Sequence, residues 1–326
     1  MPVTGVKFLL MGKFSITIHG GSGTILKEEM SVENEKGHID GLRMALHAGY
    51  TVLEKGGSAM EAIQTTLIIL EDNILFNAGK GSVYTKDGLQ EMDAAIMDGS
   101  SLNAGAVAGV RNVRNPILLA AEVLQSSNHV FLSGQGAYDF AMQQGLRVEP
   151  DDYFFSQFRY DQWKSIKDTD DYALDHSARN IDDLVVDKKM GTVGAAACDL
   201  YGNIAAGTST GGMTNKKFGR IGDSPLIGIG TYANNKTCAI SCTGHGEIFI
   251  QAVAAYDVSC LMEYKGLSLQ EAMDTVVNDK LVNMAGEGGM IGVDANGNYA
   301  MKFNTPGMYR GGKDSEGREE VKIYGD

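Results

Sequence analysis

Proline is scarce in this chain, 5 residues in 326, and tryptophan occurs once. So little proline argues against a Pro-rich linker or any extended low-complexity segment. Cysteine is almost as rare: Cys198, Cys238, Cys242 and Cys260 are the full set. No two form a C-x-x-C pair and none has zinc-finger spacing with histidine, so they are expected to be free thiols in a reducing compartment. No apolar run reaches the ~18 residues of a membrane-spanning helix, and the run VKFLLM at 6–11 is too short for a secretory h-region. The expectation is a cytoplasmic protein with no membrane partner. Basic residues are the minority sign, 28 Lys and Arg against 41 Asp and Glu, for a net charge of −13. That balance argues against a nucleic-acid partner, because such affinity rests on neutralising phosphates. Also missing are G-x-x-x-x-G-K-[ST], H-E-x-x-H, G-x-S-x-G and a complete G-x-G-x-x-G after a strand. Gly134 and Gly136 open a helical pattern but lack the third glycine.

What the chain has in excess is glycine, 42 of 326, about twice the usual share of ~7%. With little proline beside it, this points to tight turns and close backbone approaches. The hydrophobic pattern starts with a strand at 14–19 running into a glycine turn at Gly20, Gly21 and Gly23. Ile39, Leu42, Leu46, Gly49 and Leu53 then share one helical face. Capping boxes at Ser58–Glu61 and Ser268–Glu271 each open a helix. Short strands are expected near 94–97 and 104–110, and helices from Pro116 to about Leu124 and from Gly136 to Gln143. Residues 150–190 read as an exposed linker: eight Asp lie between 161 and 187, and no period is sustained. Strands follow at 192–200, 203–208 and 237–243, then a helix over 247–263, then strands at 290–293 and 299–303 around an Asn296-Gly297 hairpin. Strands and helices come in blocks, which suits stacked sheets with outer helices better than a doubly wound fold.

Chemistry concentrates in hydroxyl-rich positions on these strands. Gly191-Thr192 opens a strand directly after the acidic stretch, and Thr208, Ser209 and Thr210 end the next one. Arg220 and Asp223 follow in GRIGDSP, and Thr243, Gly244, His245, Gly246 and Glu247 link a strand to a helix. A threonine hydroxyl needs an adjacent base to become a nucleophile, and an N-terminal threonine carries that base as its own amine. Cutting at Gly191–Thr192 would expose such a residue, although threonine is also simply common on strands. His19 and His245, both beside glycines, are either bases or structurally hydrogen-bonded histidines.

The run GTVGAAACDLYGNIAAGTSTGGMTNKKFGRIGDSPLIGIGTYANN at 191–235 resembles the plant-type L-asparaginase and isoaspartyl peptidase family. The likeness continues in IHGGSGTI (18–25), LFNAGKGSVYTKDGLQEMDAAIMDG (75–99), SCTGHGEIFIQAVAAYDV (241–258) and FNTPGMYR (303–310). These families are N-terminal nucleophile hydrolases that mature by autocleavage. The resemblance implies an α+β fold in the form of a four-layer αββα sandwich. It implies one catalytic domain over 1–326, cut into 1–191 and 192–326. Thr192 would be the nucleophile, Thr210 its hydrogen-bonding partner, and Thr243 with the Gly244 N–H the oxyanion hole. Arg220 would bind the substrate α-carboxylate and Asp223 its α-ammonium group, with Gly246 adding a backbone contact. The loop carbonyls of Leu70, Glu71, Asn73, Phe76, Ala78 and Lys80 would hold a structural sodium ion, with no cofactor for catalysis. The implied substrates are β-aspartyl dipeptides and L-asparagine, and the implied assembly is a dimer of α/β heterodimers. Glycosylasparaginases, with TSTNG and TGDGD where this chain has TSTGG and TGHGE, are the alternative enzyme. A non-catalytic small-molecule binder is the alternative class. The first 13 residues match nothing in the family's start, and Met11 is a second candidate initiator.

Overall fold

The computed structural model describes residues 12–169 and 191–325. Among these, the strands are β1 Ser15–Gly23, β2 Met92–Asp98, β3 Ala104–Val110, β4 Phe131–Ser133, β5 Val193–Cys198 and β6 Ile204–Thr210, followed by β7 Thr231–Ala233, β8 Cys238–Gly244, β9 Gly288–Asp294, β10 Tyr299–Phe303, β11 Gly307–Asp314 and β12 Glu319–Tyr324. The helices are α1 Val32–Glu54, α2 Ala59–Glu71, α3 Pro116–Ser126, α4 Gly134–Gln143, α5 Asp151–Phe154, α6 Gln157–Ile166, α7 Gly246–Ala252, α8 Ala254–Lys265 and α9 Leu269–Asp274, the last running into a π-helical turn at Thr275–Leu281. The class is mixed α+β. One sheet has eight strands in the order β12-β11-β1-β5-β6-β2-β3-β4, and the other has four in the order β10-β9-β8-β7.

The period-2 alternation of β5 explains how the sheets and helices meet. Val193, Ala195 and Ala197 enter one core with Leu42, Leu46, Ile63 and Leu67 of α1 and α2. Ala196 and Cys198 enter a second core with Ile240, Met290 and Val293 of β8 and β9 and with residues of α8 and α9. A strand buried on both faces reads as a continuous apolar run. Its residues are small because β1, β5 and β6 pack directly against β7, β8 and β9. Both capping boxes form, with Ser58 and Glu61 bonding reciprocally at α2 and Ser268 and Glu271 at α9.

Several segments differ from the sequence expectation. Gly20, Gly21 and Gly23 do not turn. They continue β1 along β11, with a bulge between His19 and Gly21 where Gly21 takes φ 114°, a conformation glycine adopts freely. The helix expected over 247–263 breaks at Val253, which sits in the left-handed region at φ 51°, between α7 and α8. The stretch expected to be an exposed linker is helical in its first part. Phe154, Arg159 and Ile166 are buried, Gln90 Nε2 donates to the Phe154 carbonyl at 2.9 Å, and Trp163 packs on Tyr84 and Tyr160. Residues 170–190 of that expected linker, and the start at 1–11 with Met11, lie outside the described residues. Cys198, Cys238 and Cys242 are buried free thiols and Cys260 is half-buried, with burial raising Cys198 and Cys238 to about 12. Among the described residues no helix is long and apolar enough to cross a membrane.

Candidate active site

The pairing of β5 with β6 brings the first two hydroxyls together. Val193 lies opposite Ser209, so Thr192, just before β5, faces Thr210 at the end of β6. Thr192 Oγ1 donates to Thr210 Oγ1 at 3.1 Å. Thr210 Oγ1 in turn donates to the Gly191 carbonyl at 3.3 Å and accepts from the Gly212 N–H at 3.0 Å. The nucleophile candidate, its partner and the carbonyl of the Gly191–Thr192 bond therefore share one hydrogen-bonded cluster.

From the second sheet, β8 ends at Thr243 and Gly244 beside this cluster. Thr243 is buried, and its Oγ1 has no hydrogen-bond partner among the described residues. A buried hydroxyl without a partner is costly unless a ligand supplies one. Gly244 takes φ 153°, and a Cβ there would lie 2.5 Å from the Glu287 carbonyl oxygen, so the turn that presents its N–H requires glycine.

The loop between β6 and β7 supplies the charges. Asp223 is buried and its Oδ2 also lacks a partner. Burial raises its carboxyl from 3.8 to about 7, the Arg220 guanidinium pulling it the other way. Arg220 is not idle: its Nε and Nη2 donate to the two oxygens of Glu247, each at 2.9 Å. Burial alone would raise the Glu247 carboxyl, but the bonds to Arg220 outweigh it and hold the group below its ordinary value. A Cβ at Gly246 would stand 2.8 Å from Arg220 Nη2 and 3.0 Å from Asp223 Oδ1, so a bare backbone there keeps both groups open. Gly191, Thr192, Thr210, Arg220, Asp223 and Gly244 line one cavity.

Sequence reasoning missed three participants. Asn77 lies in the wall of this cavity, with Nδ2 donating to the Gly212 carbonyl at 2.7 Å and Oδ1 accepting from the Val83 N–H at 3.0 Å. It falls inside the 75–99 motif, which was the available signal. Glu247 was visible only as part of TGHGE. Asp93, buried and held above its ordinary value by burial, lies opposite Thr210 on β2. Of the two histidines, His245 caps α7 and faces Glu247 at 3.7 Å, while His19 is buried and hydrogen-bonded.

The loop after α2 is tightly folded. A Cβ on Gly79 would meet the Glu71 carbonyl oxygen at 2.5 Å, and one on Gly81 the Phe76 carbonyl oxygen at 2.1 Å. The carbonyls of Leu70, Asn73, Phe76 and Ala78 accept from the N–H groups of Asn73, Phe76, Ala78 and Gly81, which leaves each a second lone pair. Among the described residues no group of three His, Cys, Asp or Glu could hold a metal.

A half-buried Thr192 bonded to a buried Thr210, an unpartnered Thr243 hydroxyl and an Arg220/Asp223 pair thus stand close together, parts that suit acyl transfer. The chain belongs to the family described as Asparaginase, whose profile matches residues 12–323. It is 52% identical over 301 residues to the isoaspartyl peptidase of Salmonella typhimurium, covering 92% of this chain and 95% of that one. It is 50% identical to the isoaspartyl peptidase of Escherichia coli, covering 92% of each. A probable isoaspartyl peptidase/L-asparaginase 2 of Arabidopsis thaliana is 39% identical over 96% of this chain and 100% of its own. The chain is thus a member of an enzyme family.

Proposed function

We propose that the protein hydrolyses β-aspartyl dipeptides and the side-chain amide of L-asparagine, using Thr192 as an N-terminal nucleophile freed by autocleavage at Gly191. The observation that carries this reading is the hydrogen-bonded cluster of Thr192 Oγ1, Thr210 Oγ1 and the Gly191 carbonyl. Attack of Thr192 Oγ on that carbonyl carbon converts the peptide bond to an ester, and water resolves the ester into chains of 191 residues and 135 residues, 326 − 191. The place of Gly191 supports the cut. Gly191 lies in the cavity wall beside Thr192, Arg220 and Asp223, so cutting the Gly191–Thr192 bond would free space next to the nucleophile.

In the matured enzyme the Thr192 amine accepts the Oγ proton as Oγ attacks the substrate carbonyl. The Thr243 hydroxyl and Gly244 N–H stabilise the resulting oxyanion, which gives the unpartnered Thr243 Oγ1 its partner. The amine then passes its proton to the leaving nitrogen, and a water repeats the attack on the aspartyl ester. Asp223 pairs with the substrate α-ammonium group. Because Glu247 occupies the Nε and Nη2 edge of Arg220, the α-carboxylate meets the Nη1 and Nη2 end of the guanidinium. Gly246 adds a backbone contact.

The remaining expectations belong to the same reading. The two packed sheets with α1–α3 against one and α8 and α9 against the other fit the four-layer αββα sandwich of N-terminal nucleophile hydrolases. The carbonyls of Leu70, Glu71, Asn73, Phe76, Ala78 and Lys80 fit a sodium ion that stiffens the loop carrying Asn77. The working assembly is a dimer of α/β heterodimers. The test is a denaturing gel and N-terminal sequencing of purified protein, followed by kinetics on asparagine, several β-aspartyl dipeptides and an N4-glycosylated asparagine. Two bands, a smaller fragment starting TVGAAA and release of aspartate are expected. A single band that never matures would favour a binding protein, and activity confined to the glycosylated substrate would favour a glycosylasparaginase.

A further inference from the structure

One side chain outside the assignments above touches the nucleophile's own backbone. His19 on β1 is fully buried, and its Nδ1 lies 2.9 Å from the Thr192 carbonyl oxygen. A carbonyl only accepts, so Nδ1 carries the proton. Burial lowers the ring from 6.5 to about 3, the bond to Thr192 opposing it in part, so the imidazole is neutral and Nε2 is an acceptor. Its donor is Ser241 Oγ at 2.9 Å. Ser241, with its one proton directed at His19, accepts from Thr208 Oγ1 at 2.6 Å, and Thr208 accepts from Thr231 Oγ1 at 2.7 Å. All four side chains are fully buried. With the His19 proton on Nδ1, the two short hydroxyl contacts order the donors from β7 through β6 and β8 to β1, although the Gly230 and Ser224 carbonyls, 3.2 and 3.1 Å from Thr208 and Thr231 Oγ1, compete for the same protons.

We propose that His19 is a positioning residue for the nucleophile. The hydroxyl chain Thr231, Thr208, Ser241 holds the imidazole in its Nδ1–H form, and that N–H anchors the carbonyl of the residue that becomes the new N-terminus. The proposal rests on the reading of Thr192 as nucleophile. Once cut, Thr192 has no upstream chain to hold it. Thr210 fixes its Oγ and His19 fixes its carbonyl. Together these two contacts set the rotation of the residue and so the place of its free amine relative to Oγ. The other tautomer would turn a nitrogen lone pair toward the carbonyl oxygen and push it away. Position 194 shows how closely the ring is seated: a Cβ there would lie 2.1 Å from His19 Nε2 and 2.0 Å from Ser241 Oγ. Only glycine leaves room for the contact between them.

Imidazole nitrogen NMR of matured, histidine-labelled enzyme reads the tautomer directly, with His19→Asn identifying the resonance among the 6 histidines. The Nδ1–H form is expected in the wild type, and a mixture of tautomers in Ser241→Ala with kcat about 10-fold lower and KM within about twofold. An Asn amide nitrogen stands near the place of Nδ1 and a Gln amide nitrogen near that of Nε2. His19→Asn should therefore keep kcat within about threefold, while His19→Gln should lose about 10-fold or more in kcat at unchanged KM. An Nε2–H tautomer in the wild type, or wild-type kcat in His19→Gln, overturns the proposal, and the first of these requires no variant to fold. Thr192→Ala separates the two levels. If it retained activity, the nucleophile reading itself would fail; if it is inactive while His19 proves to be Nε2–H, only the positioning role fails.

Discussion

On the proposed reading Asp223 pairs with an ammonium group and must be ionised to do so, yet burial raises its carboxyl to about 7, with Arg220 pulling the other way. The substrate-free enzyme is therefore short of the binding-competent form at mildly acidic pH, and apparent affinity falls by the competent fraction. At pH 6 about one Asp223 in eleven is ionised, so binding should be about 10-fold weaker than on the alkaline plateau. L-aspartate as a competitive inhibitor is the right probe, because its binding does not require the Thr192 amine to act as a base. Its Ki should rise about 10-fold between pH 8 and pH 6, and calorimetry at pH 6 in two buffers should find about 0.9 proton released on binding. Asp223→Asn should bind weakly with a flat profile. A Ki constant within twofold across that range, or an unchanged Ki in Asp223→Asn, refutes the reasoning. The same shift carries a stability sign. The folded-state value lies above the ordinary 3.8, so the folded protein holds this proton more tightly and loses stability as pH rises from about 4 to about 7. Asp223→Asn should accordingly raise Tm relative to wild type at pH 8 and leave it nearly unchanged at pH 4.

Arg220→Lys keeps the charge but cannot span both Glu247 oxygens and a second carboxylate; kcat/KM should fall about 10²-fold, with processing on gels unaffected, and near-normal kcat/KM would remove Arg220 from the clamp. Thr243→Val should lower kcat by about 10²–10³ with KM within a few-fold, and a normal kcat with a large rise in KM would make Thr243 a binding residue instead. Thr210→Val should slow both maturation, followed by gel over time, and turnover of whatever matures; full-rate maturation would refute its contact with the Gly191 carbonyl. Glu71, raised by burial to about 8, is protonated at neutral pH while accepting from Ser209 and Ile117. Its folded-state value again exceeds the ordinary one, so stability is lost as pH rises from about 4.5 to about 8. Glu71→Gln should stay within about twofold of wild-type activity and melt higher than wild type above pH 8.

The parts of the site that could be read from sequence are those carried by short local runs. Thr192 opens one strand, Thr208–Thr210 close the next, and Thr243–Gly244 end a third, so the antiparallel pairing of β5 with β6 and the packing of β8 against them were enough to bring the motifs together. Contacts between distant runs were not legible. Glu247 takes one edge of Arg220 from 27 residues away, and His19 meets Thr192 from 173 residues away; nothing in either local pattern names its partner. Fold errors have equally local causes. The apolar period runs on through Val253, and no residue-type signal marks a β-branched side chain in the left-handed region. The terminal strands β11 and β12 were overlooked because MYRGGKD and EEVKIY are too glycine-rich and too charged to show a buried alternation. The stretch after 150 looked solvated, yet Phe154 and Ile166 dock while Asp151, Asp152, Asp161 and Asp168 face out.

On the proposed reading, one nucleophile serves two reactions whose oxyanions form in different places, and the geometry divides the donors between them. In maturation the charge develops on the Gly191 oxygen, and the hydroxyl that already reaches it, at 3.3 Å, belongs to Thr210. In substrate hydrolysis the charge develops on an oxygen that enters only after Gly191 has left, and the donor still lacking a partner is Thr243 Oγ1. A donor left unpaired in a buried site is destabilising before any substrate arrives. Asp223 Oδ2, an acceptor once ionised, is also unpaired and adds a second unsatisfied group. The folded precursor thus holds its hydrolytic groups unsatisfied and its maturation donor engaged, and the cut at Gly191 exchanges one set for the other. Stability is the quantity sacrificed, as it commonly is where a site is organised for a transition state rather than for its own resting state.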